Sequence, residues 1–172
     1  NVETCDVLAV GSRSPYPDSG YAPTQYSFTP GSILKPLVMA IALGVGVVRP
    51  DEMFRTFAPF GISLQLGSGS RRIREAKGAP QEDEISATSA LAHSVNAVMV
   101  QIGRRIEARV FRQTLAACGL GRAPGVGIGP ESSGSLPPLV NGTWNPTYTQ
   151  ASVSFGHELS VTLWQQAAAL ST

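Results

Sequence analysis

A serine and a lysine three positions apart, Ser32-Ile33-Leu34-Lys35, are the first residues in this sequence able to do chemistry together. They follow Pro30-Gly31 and open a strongly apolar run, so the pattern predicts a helix whose start holds Ser32. Residues three apart share a helix face, which sets the amine beside the hydroxyl. A serine hydroxyl is a poor nucleophile until a neighbouring base takes its proton. Lysine is such a base only if burial or a nearby positive charge lowers its pKa from about 10.4. A helix N-terminus adds a positive dipole and free N–H groups, and the Ser32 N–H is placed to donate to an acyl oxyanion. The same spacing has a plainer reading, in which Ser32 caps the helix and Lys35 is solvated. With 18 serines and two lysines in the chain, a Ser-x-x-Lys arises by chance in about one such sequence in five. By itself the pair favours the plainer reading.

Ser94-Val95-Asn96 offers a second hydroxyl and an amide, on a link between two expected helices. Residues two apart on an extended link project to the same side. The hydroxyl can relay a proton, and the amide can orient a peptide carbonyl. Either residue also suits the N-cap of the next helix. His93 and His157 stand alone, without a His-Glu-x-x-His or a paired-carboxylate pattern. Cys5 and Cys118 have no metal spacing and no Cys-x-x-Cys motif; they are free thiols or one bridge. No metal and no cofactor is expected. The Gly125-Val126-Gly127-Ile128-Gly129 run lacks the strand–helix context of a phosphate loop.

These residues need elements to hold them. The 172 residues amount to about one domain, long enough to bury a core. Hydrophobic residues make up 42% and charged residues 15%, the latter well below the usual quarter or so. Thirteen basic against twelve acidic residues leave a net charge of +1, which argues against a nucleic-acid partner. The longest apolar run, residues 37–48, is broken by Gly44 and Gly46 and is too short for a bilayer. No transmembrane helix and no signal peptide is expected. Residues 2–11 read as a short N-terminal hairpin or strand, and residues 11–29 as a long loop. Helices are expected over residues 33–43, 86–92, 96–106, 109–118 and 161–170, with a helical turn at 148–154. Val98, Ile102 and Ile106 share one face, and Thr162 is a candidate cap. Residues 49–84 read as mixed. Pro50-Asp51-Glu52 looks like a helix start, Gly67-Ser68-Gly69-Ser70 like a flexible turn, and the basic run from Arg71 to Lys77 like a solvated face. Residues 123–146 read as Gly/Pro-rich loop.

Five segments, in order along nearly the whole chain, add a resemblance. Phe28-Thr29-Pro30-Gly31-Ser32-Ile33-Leu34-Lys35-Pro36 resembles the active-serine motif of the penicillin-binding proteins, most of all the class B transpeptidases that cross-link peptidoglycan. Asp6-Val7-Leu8-Ala9-Val10-Gly11-Ser12 resembles the strand before it, and Ala92-His93-Ser94-Val95-Asn96 the second motif. Gly129-Pro130-Glu131-Ser132-Ser133-Gly134-Ser135-Leu136-Pro137 is similar to a Gly-Glu-x-x-Gly-x-Leu-Pro loop. Ser154-Phe155-Gly156-His157-Glu158-Leu159-Ser160-Val161-Thr162 is similar to the segment leading into a late helix. One departure is large: the third motif, Lys-[Ser/Thr]-Gly, is absent, since Lys77 is followed by Gly78-Ala79.

The resemblance implies an α+β, β-lactamase/transpeptidase-like fold, of which this chain is mostly α-helical with a short N-terminal β-hairpin or strand. Residues 1–172 would be a single partial transpeptidase domain, with N-terminal strands in 2–11, a helical subdomain over 30–172, and the C-terminal strands missing. It makes Ser32 the acylated nucleophile, Lys35 its base, Ser94 the proton relay and Asn96 a substrate ligand. The implied function is peptidoglycan D,D-transpeptidation in cell-wall cross-linking, with stem peptides and β-lactams as ligands. A D,D-carboxypeptidase or β-lactamase of the same fold, or a non-catalytic β-lactam sensor or scaffold, are the alternatives. The parent protein would be membrane-tethered, facing the periplasm beside cell-wall synthesis partners. Without the third motif, this chain is expected to be poorly active and to self-associate through an exposed sheet edge.

Overall fold

The run from Asn96 to Gly103 is apolar on every side, and a helix of that kind belongs in the centre of a fold. In the computed structural model it is the central helix; Ala97, Val98, Met99, Val100 and Ile102 are fully buried. The structure describes Ala9, residues 22–127 and residues 129–171. The expected N-terminal hairpin over 2–11 lies outside the described residues, apart from Ala9.

In chain order the elements are α1 (Ala22–Gln25), β1 (Ser27–Phe28), a 3-10 turn (Gly31–Leu34) running into α2 (Lys35–Gly44), β2 (Met53–Arg55), β3 (Ile62–Leu66), β4 (Gly69–Ile73), β5 (Glu84–Ser86), α3 (Ala87–Ala92), α4 (Asn96–Gly103), α5 (Ala108–Ala117), α6 (Thr149–Val153), β6 (Val161–Thr162) and α7 (Leu163–Ala169). Helix α4 packs between α2 and α6. Its last turn is closed by a side chain: the buried Gln150 amide of α6 donates to the Gly103 and Ile106 carbonyls at 2.9 and 2.7 Å. Carbonyls at a helix end have no intrahelical donor, and this amide supplies one to Gly103, the last residue of α4, and another to Ile106 just beyond it. Thr162 caps α7 in a capping box with Gln165, and the Gln165 amide also donates to the Arg122 and Ser133 carbonyls.

Residues 49–84 depart from expectation. No helix starts at Pro50-Asp51-Glu52. The Glu52 N–H donates back to the Arg49 carbonyl, and Met53 then enters β2, which pairs with β5. β3 and β4 form a hairpin whose two-residue turn is Gly67-Ser68. β1 pairs with β6, so the described residues hold three two-stranded antiparallel sheets. None has three strands, and each must lean on helices for stability. The hairpin does so through Arg71, whose guanidinium lies 4.5 Å from the Tyr148 ring centroid. It also donates to the Tyr148 carbonyl and to the Ser152 hydroxyl of α6. The basic run is therefore not wholly a solvated face. Cys118 forms no disulfide among the described residues, and Cys5 lies outside them.

Candidate active site

Ser32 sits in the 3-10 turn, exposed, and its hydroxyl makes no hydrogen bond among the described residues. Lys35 is the first residue of α2 and is only 1% exposed. Its ammonium has three donors, and all three are used. They go to the Ser94 carbonyl at 2.6 Å, the Ser94 hydroxyl at 3.0 Å and the Asn96 Oδ1 at 2.6 Å. The structure thus gathers Lys35, Ser94 and Asn96 into one cluster, with Ser32 on the turn directly before it. A hydrogen bond between Ser32 and Lys35 is not formed. Burial lowers the Lys35 pKa to about 8, against an opposing upward pull from the Glu75 charge. Such an amine is neutral often enough near neutral pH to accept a proton.

The local sequence explains how Ser94 presents both oxygens. Helix α3 ends in a Schellman motif: the Val95 N–H bonds the Ala90 carbonyl, and the Ser94 N–H bonds the Leu91 carbonyl. Ser94 occupies the left-handed position with φ 57°. That position normally takes glycine; a serine there costs about 1–2 kcal/mol. Strain of this kind collects where function requires a particular geometry. Ser94→Gly is therefore expected to hold or raise the melting temperature while cutting acylation of Ser32 by roughly 10²-fold or more. A variant that loses stability and acylation together would contradict this.

Two glycines fix the serine turn. Gly31 (φ 57°) donates its N–H to the Gly156 carbonyl at 3.0 Å. Gly156 (φ 86°) approaches so closely that a Cβ there would overlap the Gly31 carbonyl. The segment 154–162 thereby abuts the backbone of the turn that carries Ser32. His157 lies against Phe155 and bonds nothing in the cluster. The Gly-rich loop is filled by its own chain: the Glu131 carboxylate accepts the Gly125 and Gly127 N–H groups, and these bonds hold its pKa below the usual carboxylate value. Among the described residues no cluster of His, Cys, Asp or Glu could hold a metal.

Sequence reasoning missed Glu75. Its carboxylate accepts the Asn96 and Ala97 N–H groups, each at 2.6 Å, and the preceding Arg74 carbonyl accepts the Asn96 side-chain N–H at 2.9 Å. No motif marks it; the available signal was that α4 lacks a side-chain cap of its own. A cavity of about 370 Å³ between Pro59 and the 75–81 loop touches the cluster only through Glu75.

A family model, the penicillin binding protein transpeptidase domain, matches residues 1–172. The chain belongs to the penicillin-binding protein transpeptidase family. This family member is 28% identical over 182 aligned residues to the peptidoglycan D,D-transpeptidase FtsI of Escherichia coli, covering all of this chain and 29% of that protein. It is 30% identical to the penicillin-binding protein PbpB of Mycolicibacterium smegmatis, over 84% of this chain and 21% of that one. The chain thus spans less than a third of the length of these relatives. Among solved structures it is similar to the apo transpeptidase domain of Burkholderia pseudomallei penicillin-binding protein 3 (TM-score 0.73, 26% identity, 86% of this chain and 41% of that one). It is also similar to penicillin-binding protein 3 of Mycobacterium tuberculosis complexed with aztreonam (TM-score 0.71, 25% identity, 88% of this chain and 32% of that one). The fold is the α+β, β-lactamase-like fold of these transpeptidase domains, with seven α-helices and six short strands among the described residues.

Proposed function

We propose that the chain is the helical part of a D,D-transpeptidase domain that works through a Ser32 acyl-enzyme. The observation that carries this is the Lys35 amine, buried, held near a pKa of about 8, and bonded to Ser94 and Asn96 beside an unbonded serine hydroxyl. In its neutral form Lys35 takes the Ser32 proton as Oγ bonds the penultimate D-Ala carbonyl carbon. The bond to the terminal D-Ala then breaks, and its amine leaves with the proton returned through the Ser94 hydroxyl. An amine acceptor reverses the sequence and takes the acyl group. Asn96 orients the donor's amide, and the Ser32 N–H donates to the oxyanion. A β-lactam enters as a donor mimic; the aztreonam complex of the mycobacterial relative supports that ligand class. The reaction belongs outside the cytoplasmic membrane, where peptidoglycan is cross-linked, in a membrane-tethered parent protein. Among the described residues no helix is long and apolar enough to cross a membrane.

The 172 residues hold no Lys-[Ser/Thr]-Gly. In the family resemblance that motif supplies a second oxyanion donor, and one such donor is worth about 10²–10³ in turnover. Penicillin labelling of this chain is therefore expected over hours rather than seconds. Intact-mass spectrometry with peptide mapping tests the reading: one penicillin adduct on Ser32, absent from Ser32→Ala. No adduct after prolonged incubation, or one on another residue, would refute it. Incubation with a D-Ala-D-Ala peptide, with and without an amine acceptor, separates transpeptidation from hydrolysis. Acylation without peptide turnover would point to a sensor.

A further inference from the structure

We propose that Glu75 is a positioning residue of the acyl-transfer site, its carboxylate holding the first turn of α4 so that the Ser94 and Asn96 oxygens meet the Lys35 ammonium. The inference rests on the acyl-transfer reading but is tested separately from it.

The first N–H groups of a helix have no intrahelical acceptor. Val95, the N-cap of α4, has no side chain to offer them. Glu75, on the chain leaving the β3–β4 hairpin, bonds two at once through both carboxylate oxygens. Bonds to an ionised acceptor are short and strong, and this one carboxylate fixes both the height and the rotation of the helix end. The Arg74 carbonyl completes the setting. By accepting the Asn96 side-chain N–H it turns the amide so that Oδ1 faces Lys35. Two adjacent residues of one strand exit thus determine the acceptor geometry around the amine.

Glu75 also acts at a distance. Lys35 is in no ion pair among the described residues. The 3-10 turn brings Ser32 and the α3–α4 link brings Ser94 and Asn96, all neutral. The α2 first turn carries no acid. His93 is exposed and bonded to Ser89, Arg74 is exposed, and the Glu158 carboxylate bonds Ser152. Among the described residues Glu75 is the charge whose field registers on Lys35, and it favours the ammonium.

The chain contains two lysines, Lys35 and Lys77, so lysine labelled at Cε gives two NMR signals, assigned with Lys77→Arg. In Glu75→Gln the Lys35 titration midpoint should move below about 8 by about half a pH unit or more. Glu75→Asp, which keeps the charge, should leave it near its starting value. The rising limb of penicillin labelling against pH should shift with it, and Glu75→Ala should label roughly 10²-fold more slowly. A role confined to holding the helix would open the site and move the midpoint upward. Labelling of Glu75→Ala at the parent rate, with circular dichroism unchanged, overturns the positioning role, and an upward or absent midpoint shift in Glu75→Gln overturns the charge effect. If the chain never labels on Ser32 at any pH, the acyl-transfer reading fails, while the lysine titration still decides whether Glu75 governs Lys35.

Discussion

Replacing Lys35 with methionine is expected to slow penicillin labelling of Ser32 by about 10²–10⁴-fold, the usual range for loss of a positioned proton acceptor. Methionine keeps the length and apolar stem but accepts no proton and donates no hydrogen bond. The Ser94 and Asn96 oxygens now satisfied by Lys35 would lose their donor. A second signature follows from pH. Burial brings the folded-state pKa down from 10.5 to about 8, with the Glu75 charge opposing it. Between those values the unfolded chain binds a proton that the folded chain has released. Stability therefore rises with pH through the window from about 8 to 10.5, as far as this group is concerned. Below the window the cost of burying the charge is fully present, on the order of 3 kcal/mol at about 1.4 kcal/mol per pH unit. Urea unfolding of the native chain from pH 7 to 10 should show that rise, and Lys35→Met should lack it. Equal pH slopes for the two proteins would mean that Lys35 is not titrating in the folded state below the unfolded-chain value.

Gly156→Ala should lower the melting temperature by about 10 °C and slow the labelling of Ser32 by roughly 10²-fold or more. Two costs add. A non-glycine residue at positive φ loses about 1–2 kcal/mol, and forced overlap in packed surroundings costs about 1–3 kcal/mol. The new methyl would overlap the Gly31 carbonyl, and Gly31 Cα would lie 2.8 Å from it. A chain of this size loses about 2–4 °C per kcal/mol. The movement that relieves the overlap pushes on the turn carrying Ser32, where a displacement of about 1 Å is worth roughly 10² in rate. Thermal melting and intact-mass labelling on the same preparation check both. A melting temperature within about 2 °C of the parent would show that the two segments part easily.

How much of this could be read from residues alone depends on how local the signal is. The four polar groups of the proposed site lie in two short stretches, 32–35 and 94–96, and such stretches are legible. Their meeting was legible only through the order of the motifs. Helices α2 and α5 announced themselves by the glycines that close them, and α4 by the spacing of Val98, Ile102 and Ile106. The strands did not. Ile62, Leu64 and Leu66 alternate with polar residues and precede Gly67-Ser68, a hairpin pattern. The neighbouring arginines hid the second strand, because a cation that bonds a distant carbonyl looks in sequence like one bound by water. Glu75 was hidden for the same reason. Its partners, Asn96 and Ala97, lie in another segment, and the need it meets belongs to a backbone that no residue type advertises. Ser94 at positive φ contradicts ordinary propensity, and local rules fail where a site imposes its own geometry.

The contact between Gly31 and Gly156 bears on the order in which the molecule forms. It joins backbone from opposite ends of the described chain, as does the pairing of β1 with β6 beside it. The α2–α4 packing behind Lys35 involves shorter loops. Contacts that close long loops form only after the closure entropy has been met, whereas helices and near neighbours assemble early. Lys35, Ser94 and Asn96 can therefore come together in a partly folded chain. The turn bearing Ser32 cannot take its final shape until residue 156 arrives from the far side of α5 and α6. Ser32 is the last part of the proposed site to mature, and a chain that has folded its helices has not yet completed that site.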